Sequence, residues 1–383
     1  MKKTLAAVAV LGAFASSAFA ADVTLYGRLD TGLLMEDWSS TGVDGVKTDG
    51  TDWGMQSGNT TTSRIGVKGS EEISENVTVG FVLETKIAGD TGAAFGDGFD
   101  RESTLWVKTN YGTVWAGKIS SIWSDGGSNG FWGNYVPFTT GNAVAPGTNF
   151  MVAGGRVANR ISYRSPTFAG FTVYADYGFG DEGAENKTTS DRPLGLGLNY
   201  ANGGFGAGLV FQYVNEDTGT GEGSEGDPED QFTVGLGMSY DFGVAKVLLA
   251  GNYYQNANTI GTVYTAGDDG IFEFVTGKNA AGEDVYKEFD ELKGYAIALG
   301  AQIPAWGGQW EVGVAYTDGE DDATGGDFEY TGYNAAIMYS YPLSKRTNVY
   351  AGAGYTKVEA DGSTYGKAEE ESTTAMLGLV HKF

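Results

Sequence analysis

The chain has 383 residues and carries 49 Asp and Glu against 24 Lys and Arg, which gives a formal net charge of -25 at pH 7. This acidic balance argues against nucleic acid as a partner, because nucleic-acid binding needs a basic stripe that neutralises phosphates. With no cysteine and one histidine, the sequence also excludes a disulfide-stabilised secreted scaffold and metal sites of the His/Cys type.

The first twenty residues have the layout of a secretory signal peptide. Two lysines precede an apolar run from Leu5 to Ala15, and an A-x-A cleavage site ends at Ala20. The apolar run is too short to span a bilayer. The sequence therefore predicts that residues 1–20 are removed. Residues 21–383 are expected to form one domain, because no linker and no shift in composition divides them.

Short segments in which large apolar residues alternate with small or polar ones recur along the chain. From Gln231 to Phe242, the even positions are all large and apolar, and the odd positions are small or polar. A period of two is that of a β-strand with one apolar face. Counting such segments predicts sixteen strands, near residues 22–34, 62–72, 77–88, 100–109, 112–120, 158–166, 170–179, 192–201, 204–215, 230–242, 245–256, 292–304, 308–317, 328–342, 347–358 and 372–383.

Short turns and long loops alternate between these strands. An even strand number with short turns at one end and long loops at the other is typical of an outer-membrane barrel. Six apolar positions at period two, tilted by about 45°, cover roughly 24 Å, which is close to the lipid-facing band of such barrels. We therefore expect an all-β fold, a transmembrane sixteen-stranded antiparallel β-barrel, rather than a soluble β-sandwich.

The long loops at residues 216–230, 257–291 and 318–329 are mostly acidic. One interpretation is that charge keeps these loops solvated. The other is that Ca²⁺ or Mg²⁺ bridges their carboxylates to lipopolysaccharide, since divalent cations prefer clustered oxygens. No other cofactor is expected.

The segment from about residue 119 to residue 155 differs from every other long connection. It contains one charge, Asp125, and six large aromatic side chains. Burying each such side chain stabilises the protein by roughly 1.5 to 3 kcal/mol, so a solvated loop has no use for six of them. We expect this segment to fold into the mouth of the barrel and to narrow a water-filled pore. The aromatic residues are Trp123, Phe131, Trp132, Tyr135, Phe138 and Phe150.

Five stretches, in order along the chain, resemble segments of the general trimeric porins of Gram-negative outer membranes. They are Val23–Asp30, Ser63–Glu72, Asn110–Gly117, Arg156–Gly170 and Leu377–Phe383, the last with a basic residue before a terminal Phe. The resemblance covers the whole chain. It implies a homotrimer of sixteen-stranded barrels in the outer membrane, in contact with its lipid and lipopolysaccharide, with the third long loop folded inward.

The resemblance also implies two site features. The strand that ends in Phe383 is an assembly signal read by the outer-membrane assembly machinery. The inward loop narrows the pore opposite a basic wall. Many relatives carry an acidic cluster on that loop, whereas here only Asp125 is available, beside the aromatic residues Trp123, Phe131, Trp132 and Tyr135.

Strand parity predicts which basic residues face the lumen. Ile65 and Val67 belong to the lipid face, which places Arg64 inside. Arg101 shares the parity of the lipid-facing Leu105, so it lines the pore only if a bulge intervenes or if it lies above the strand. The basic residues expected to line the constriction are Arg28, Arg64, Arg101, Arg156, Arg160 and Arg164.

These features predict a porin, a water-filled channel for passive diffusion of small hydrophilic solutes and ions. One alternative is a channel specific for a sugar or an organic acid, with the loop aromatics as a stacking track. Another is an adhesin or structural barrel. An enzyme is disfavoured, because the G-x-S-x-G match at residues 126–130 is expected by chance and a triad needs a histidine other than His381. The sign of ion selectivity stays open, since arginines favour anions while acidic loops concentrate cations at the entrance.

Overall fold

A computed structural model of the chain describes residues 22–42, 45–94, 98–124, 126–138, 142–145, 155–180, 192–215, 229–257, 274–278, 284–287, 292–321, 328–362 and 366–383. Within these ranges no helix is long and apolar enough to cross a bilayer. One short 3-10 turn lies at Trp132–Asn134. The strands are β1 (Thr24–Thr41), β2 (Lys47–Ser57), β3 (Arg64–Ser74), β4 (Val77–Lys86), β5 (Glu102–Thr109), β6 (Gly112–Ser120), β7 (Arg156–Arg164), β8 (Phe171–Gly178), β9 (Arg192–Asn202), β10 (Phe205–Asn215), β11 (Gln231–Asp241), β12 (Lys246–Ala257), β13 (Phe274–Lys278), β14 (Asp284–Lys287), β15 (Leu292–Ala305), β16 (Gly308–Asp321), β17 (Phe328–Pro342), β18 (Thr347–Gly362) and β19 (Gly366–Lys382).

Neighbouring strands pair antiparallel around a closed sheet, and β19 returns to pair with β1. β12 pairs directly with β15, because β13 and β14 form a separate two-stranded sheet in the connection between them. Each strand has a loop end, nearer the long loops, and a turn end, nearer the short turns. β2 and β3 lie on the same side of β1, where β2 pairs with the loop end of β1 and β3 pairs with its turn end. Together they occupy one strand position in the sheet, and residues 58–63 interrupt it. The barrel therefore has sixteen positions, and the predicted strand number is confirmed.

The start of the chain differs from the prediction. β1 continues to Thr41, whereas the alternation predicts its end near residue 34, and β2 was not predicted at all. Nearly every residue of β2 is exposed, so this strand has no apolar face for a periodicity to reveal. Main-chain hydrogen bonds to β1 hold it instead. The β1–β2 hairpin thus extends the barrel wall on the side of the long loops.

The lipid-facing surface follows the predicted alternation. In β11, Leu236 is 53% exposed, while its neighbours Gly235 and Gly237 face the interior. Aromatic rings of neighbouring strands contact one another at two heights along the barrel, one near the loop end and one near the turn end. This arrangement suits the two interfaces of a membrane. Phe232 and Tyr240 of one strand belong to different levels, and eight residues at about 45° separate them by roughly 19 Å. Ring pairs at the loop end are Phe211 with Phe232 and Tyr295 with Tyr316, and pairs at the turn end are Tyr200 with Phe205 and Trp310 with Tyr339.

One arc of the outer surface lacks these aromatic rows. Strands β19, β1, β3, β4, β5 and β6 adjoin one another, and their described outward faces carry few rings: Phe81 of β4 and, directly after β19, Phe383 over Gly27. Aliphatic side chains take the place of the rings, and several are among the most exposed in the chain. They include Leu25, Leu29, Leu33, Leu105, Val107, Val114, Leu377 and Leu379.

Candidate pore constriction

The segment 119–155, called the aromatic loop below, begins in the last residues of β6 and precedes β7, and its described residues lie inside the barrel. Their described aromatic side chains are at most 3% exposed and lie on glycines of the inward face. Trp123 and Trp132 cover Gly235, where an added Cβ would lie 2.5 Å from the Trp123 ring. These glycines therefore leave the space that the rings fill. The ring and glycine contacts include Phe131 on Gly197 and Gly208, Trp123 and Trp132 on Gly235, Tyr135 on Gly208 and Gly237, and Phe138 on Gly313.

Tyr135 is also fixed by a hydrogen bond. Its hydroxyl donates to the Asn199 side-chain oxygen of β9. Burial raises the pKa of Tyr135 to about 12, so this hydroxyl stays a donor at neutral pH. The Trp132 ring meets the Tyr135 ring edge-on at 6.3 Å. The aromatic side chains of the described loop thus face the wall rather than the water.

Beyond Tyr135 the aromatic loop continues along the inner wall. Pro137 packs on Gly300 of β15 and Gly313 of β16, and Val144 lies over Gly354 of β18. The Ala143 N–H then donates to the main-chain oxygen of Asn59 at 2.8 Å, within the interruption between β2 and β3. The described residues of the loop therefore lie along the inner wall from β9 to β18, and none of the described loop rings lies against a glycine of β1, β3 or β4.

Two buried carboxylates attach the first part of the aromatic loop. Glu102 of β5 accepts hydrogen bonds from the Ser128 N–H at 2.7 Å and from the Ser128 hydroxyl at 2.6 Å. Asp176 of β8 accepts one from the Ile122 N–H at 3.2 Å. The sequence analysis did not single out either residue. Inward parity was the available signal for Glu102, because Leu105 and Val107 of the same strand face lipid.

Four arginines of the inner wall lie close enough to interact electrostatically, and together they are called the basic wall below. Arg101 Nε donates to Glu84 Oε1 at 2.7 Å, and Arg64 Nη1 lies 3.6 Å from the same oxygen. Arg28 and Arg64 both donate to the Thr61 hydroxyl, at 2.9 and 3.1 Å. The members are Arg28, Arg64, Arg101 and Arg156, the last of which acts electrostatically on Arg64.

Strand parity does not decide whether Arg101 faces the lumen, but the structure does. Arg101 directly precedes β5, so the alternation of that strand does not govern it. Its main-chain N–H donates to the Glu84 oxygen at 3.1 Å, and its side chain turns to the Glu84 carboxylate. Arg101 thus lies above the strand proper and on the lumen side.

Arg160 and Arg164 lie apart from the basic wall. Arg160 is 2% exposed and donates from Nη1 to Asp176 Oδ2 at 2.9 Å, below the attachment of Ile122. It therefore packs between the strands and the aromatic loop. Arg164 lies nearer the turn end of β7, where its guanidinium group is 5.0 Å from the centre of the Trp115 ring.

The interruption between β2 and β3 is built on Asp30, which the parity of the first strand places on the inward face together with Arg28. Its carboxylate is fully buried and accepts hydrogen bonds from Thr60 N–H and Oγ1, from Thr61 N–H and from the Tyr350 hydroxyl. These bonds fix the main chain next to Thr61, the shared partner of Arg28 and Arg64. Asp30 thereby positions the hydroxyl on which two guanidinium groups rest.

Several predicted positions lie outside the described residues. They are Asp125, Phe150, the signal peptide and most of the acidic loops. In the part of the chain that the structure describes, no cluster of acidic side chains could hold a metal ion. Phe383 is described: its N–H and C=O both bond to the main chain of Gly27 at 3.1 Å, and its ring covers that glycine.

Three comparisons relate the chain to known proteins. A family model described as Gram-negative porin matches residues 6–361. An outer membrane porin protein of Bordetella pertussis is 30% identical over the full length of both chains, and outer membrane porin protein 32 of Delftia acidovorans is 28% identical over the same extent. Among solved structures, the anion-selective porin from Comamonas acidovorans superimposes with a TM-score of 0.64 at 26% identity, covering 95% of this chain and 100% of that one.

Proposed function

The chain belongs to the Gram-negative porin family and is an outer-membrane porin, and from this premise we propose that it is a diffusion channel that prefers anions. The observation that carries the preference is the gathering of Arg28, Arg64, Arg101 and Arg156 on the inner wall of the barrel. Guanidinium groups stay charged at every physiological pH. Fixed positive charge at the narrowest part of a pore favours entry of negative ions.

Two further points bear on the sign of the preference. The structurally similar porin from Comamonas acidovorans is described as anion-selective, which supports the proposal at 26% identity. The acidic outer loops act in the opposite direction, but mobile ions screen exposed charge beyond about 8 Å at physiological salt. The basic wall lies inside the barrel, so we expect its contribution to persist at salt concentrations that suppress the contribution of the loops.

Reversal potentials across a planar bilayer under a KCl gradient test the sign. We expect an anion-selective potential, with the preference increased at high salt because the opposing charge of the loops is then screened. A cation-selective potential at both low and high salt would contradict the proposal. A selectivity that does not change with salt would remove the proposed opposition between loops and wall.

We further propose that solute size, rather than binding, sets the permeability. The described aromatic residues of the loop are buried against the inward glycines, so they are not available as a stacking track for sugars. Swelling of liposomes that contain the channel should slow smoothly as sugars grow larger. A rate that saturates for one solute would favour the specific-channel alternative instead.

The arc without aromatic rows supports the proposal of a homotrimer. Strands from β19 to β6 expose Leu25, Leu105 and Leu377, which suit contact with another barrel better than contact with lipid headgroups. Light scattering in detergent should give the mass of three chains. Leu105→Asp should shift the protein in detergent from trimers to dimers or monomers. A monomeric wild-type protein would contradict the proposal.

Two membrane contacts remain proposals of the same kind. Ca²⁺ or Mg²⁺ between lipopolysaccharide and the acidic outer loops is supported by the carboxylates of that region in the sequence. Recognition of Phe383 by the assembly machinery is supported by its place at the closing edge beside Gly27. Metal analysis of protein purified with its native lipid, and outer-membrane yield of Phe383→Ala, test them separately.

The proposal gives the chain no catalytic role. Ser128, the serine of the G-x-S-x-G match, donates its hydroxyl hydrogen to Glu102 and serves the attachment of the loop. His381, the single histidine of the sequence, shares a hydrogen bond with Thr347 of β18 at 2.9 Å. The serine and the histidine are therefore engaged elsewhere, and turnover of ester substrates by the purified protein would contradict this assignment.

A further inference from the structure

The carboxylate of Glu84 occupies the space between two guanidinium groups of the basic wall. Oε1 accepts a hydrogen bond from Arg101 Nε at 2.7 Å and lies 3.6 Å from Arg64 Nη1, while Oε2 accepts one from the Tyr26 hydroxyl at 3.1 Å. The Glu84 side chain is 8% exposed, that of Arg101 9% and that of Arg64 17%. Charges so poorly exposed are screened much less than surface charges.

The two guanidinium groups lie around the Glu84 carboxylate as they would lie around a bound anion. Guanidinium groups on both sides of an oxyanion are the usual means by which proteins hold carboxylates and phosphates. Arg28 adds a third positive charge, because it acts electrostatically on Glu84 and shares the Thr61 hydroxyl with Arg64. Here the oxyanion is a side chain of β4, so the space that a permeating dianion would take between the arginines is filled by the protein itself.

We propose that Glu84 is a tethered anion that sets the specificity of the channel, by keeping multivalent oxyanions such as phosphate from binding at the constriction. The inference rests on the proposed anion preference and adds the residue that limits its strength. An ion channel conducts only if binding is favourable enough for entry and weak enough for exit. With Glu84 in place, the basic wall attracts small anions and offers no empty site at which a dianion would stay.

The alternative is that Glu84 only orients Arg64 and Arg101. Both roles use the same hydrogen bonds, so loss of folding or of conductance does not separate them. Block of the chloride current by phosphate separates the two roles. Orientation alone gives the channel no reason to bind phosphate once the carboxylate is removed, whereas a tethered anion leaves a phosphate site behind.

Glu84→Gln separates the two roles, because glutamine keeps the shape and one acceptor oxygen but removes the charge. We expect the chloride-to-potassium permeability ratio to rise about threefold and the affinity for inorganic phosphate, measured as block of chloride current, to rise about tenfold, since the Coulomb energy grows with the charge of the ion. Glu84→Asp keeps the charge and should remain close to the wild type. Glu71→Gln is the matched control, because Glu71 is an exposed carboxylate at the turn end of β3.

A double variant checks that charge is the cause. Glu84→Gln combined with Arg101→Gln returns the fixed charge of the wall to its original value, and phosphate block should fall back toward that of the wild type. Glu84→Ser is measured in parallel as a second neutral variant, in case glutamine at this position does not give folded channels.

The outcomes distinguish this inference from the proposed function. An anion-selective wild type whose neutral Glu84 variants show unchanged phosphate block would overturn the tethered-anion role and leave the proposed function intact. A cation-selective wild type would overturn the proposed function itself. Stronger phosphate block in the neutral variants, reversed in the double variant, would support both.

Discussion

Ser128 of the aromatic loop donates two hydrogen bonds to Glu102 of β5, from its N–H at 2.7 Å and from its hydroxyl at 2.6 Å. Glu102 is buried one residue after Arg101, so the same part of the wall carries a positive charge and the attachment of the loop. The width of the constriction and its electric field therefore have a common structural support. Changes at Glu102 should alter the first, and changes at the basic wall the second.

Removing the Glu102 carboxylate should loosen the aromatic loop. Hydrogen bonds to a charged group contribute about 1.5 to 3 kcal/mol each, and Glu102→Ala removes both. We expect single-channel currents with frequent brief fluctuations and a higher mean conductance. Ser128→Ala removes only the hydroxyl donor and should give a smaller effect of the same kind. Current traces of Glu102→Ala as steady as those of Glu71→Ala, an exposed carboxylate of β3, would contradict this role.

Filling the space at Gly235 should push the loop off the wall. An added Cβ would lie 2.5 Å from Trp123 and 2.8 Å from Trp132, so valine cannot fit unless the rings move. Overpacking of this kind costs typically about 1 to 3 kcal/mol. We expect Gly235→Val to change conductance and to raise the exposure of tryptophan to an aqueous quencher. Gly54→Val is the control, because nothing lies within 4 Å of an added Cβ at that exposed glycine of β2.

Neutralising one arginine of the basic wall should weaken the anion preference. Arg64 lies 3.6 Å from Glu84 and is 17% exposed at its side chain, so its charge acts on the lumen with partial screening. Arg64→Gln should lower the chloride-to-potassium permeability ratio about threefold. Arg346→Gln removes the same charge from an exposed turn and should leave the ratio unchanged. Equal effects of the two variants would show that overall charge, not the wall, sets selectivity.

Arg160 should affect stability rather than selectivity. Its side chain is 1% exposed and that of its partner Asp176 is 2% exposed, at a distance of 2.9 Å. Removing one member of a buried ion pair typically costs about 3 to 5 kcal/mol, because the other charge stays buried alone. Arg160→Met should lower the denaturant midpoint of the barrel, and Asp176→Leu added to it should recover part of the loss. A changed reversal potential in a folded Arg160→Met channel would place this arginine in the pore after all.

The elements that depend on local alternation could be predicted from the sequence. Leu236 and Gly235 differ in exposure because one faces lipid and the other the interior, and that difference repeats every second residue. Parity likewise assigns Arg64 to the lumen side. It fails for β2, which is exposed on both faces and therefore shows no apolar period.

Long-range packing could not be predicted in the same way. Parity places Arg160 inside the barrel, but nothing near it in the sequence indicates that Ile122 and the aromatic loop cover it. The inward glycines are a second case. Small residues on the inner face suggested a wall in contact with water, whereas Gly208, Gly235 and Gly237 hold the rings of the loop. Beyond its inward parity Glu84 gives no local signal, because its partners come from β1, from β3 and from the segment before β5.

The pairing of β1 with β19 has a consequence for biogenesis. These two strands lie at opposite ends of the described chain, and contacts between such distant segments form slowly because of the entropy of closing the intervening polypeptide. Until they meet, the nascent sheet exposes two unpaired edges that can template aggregation with another molecule. The cylinder therefore needs protection during export until its final seam is made, and pairing of β1 with β19 then removes both of these edges.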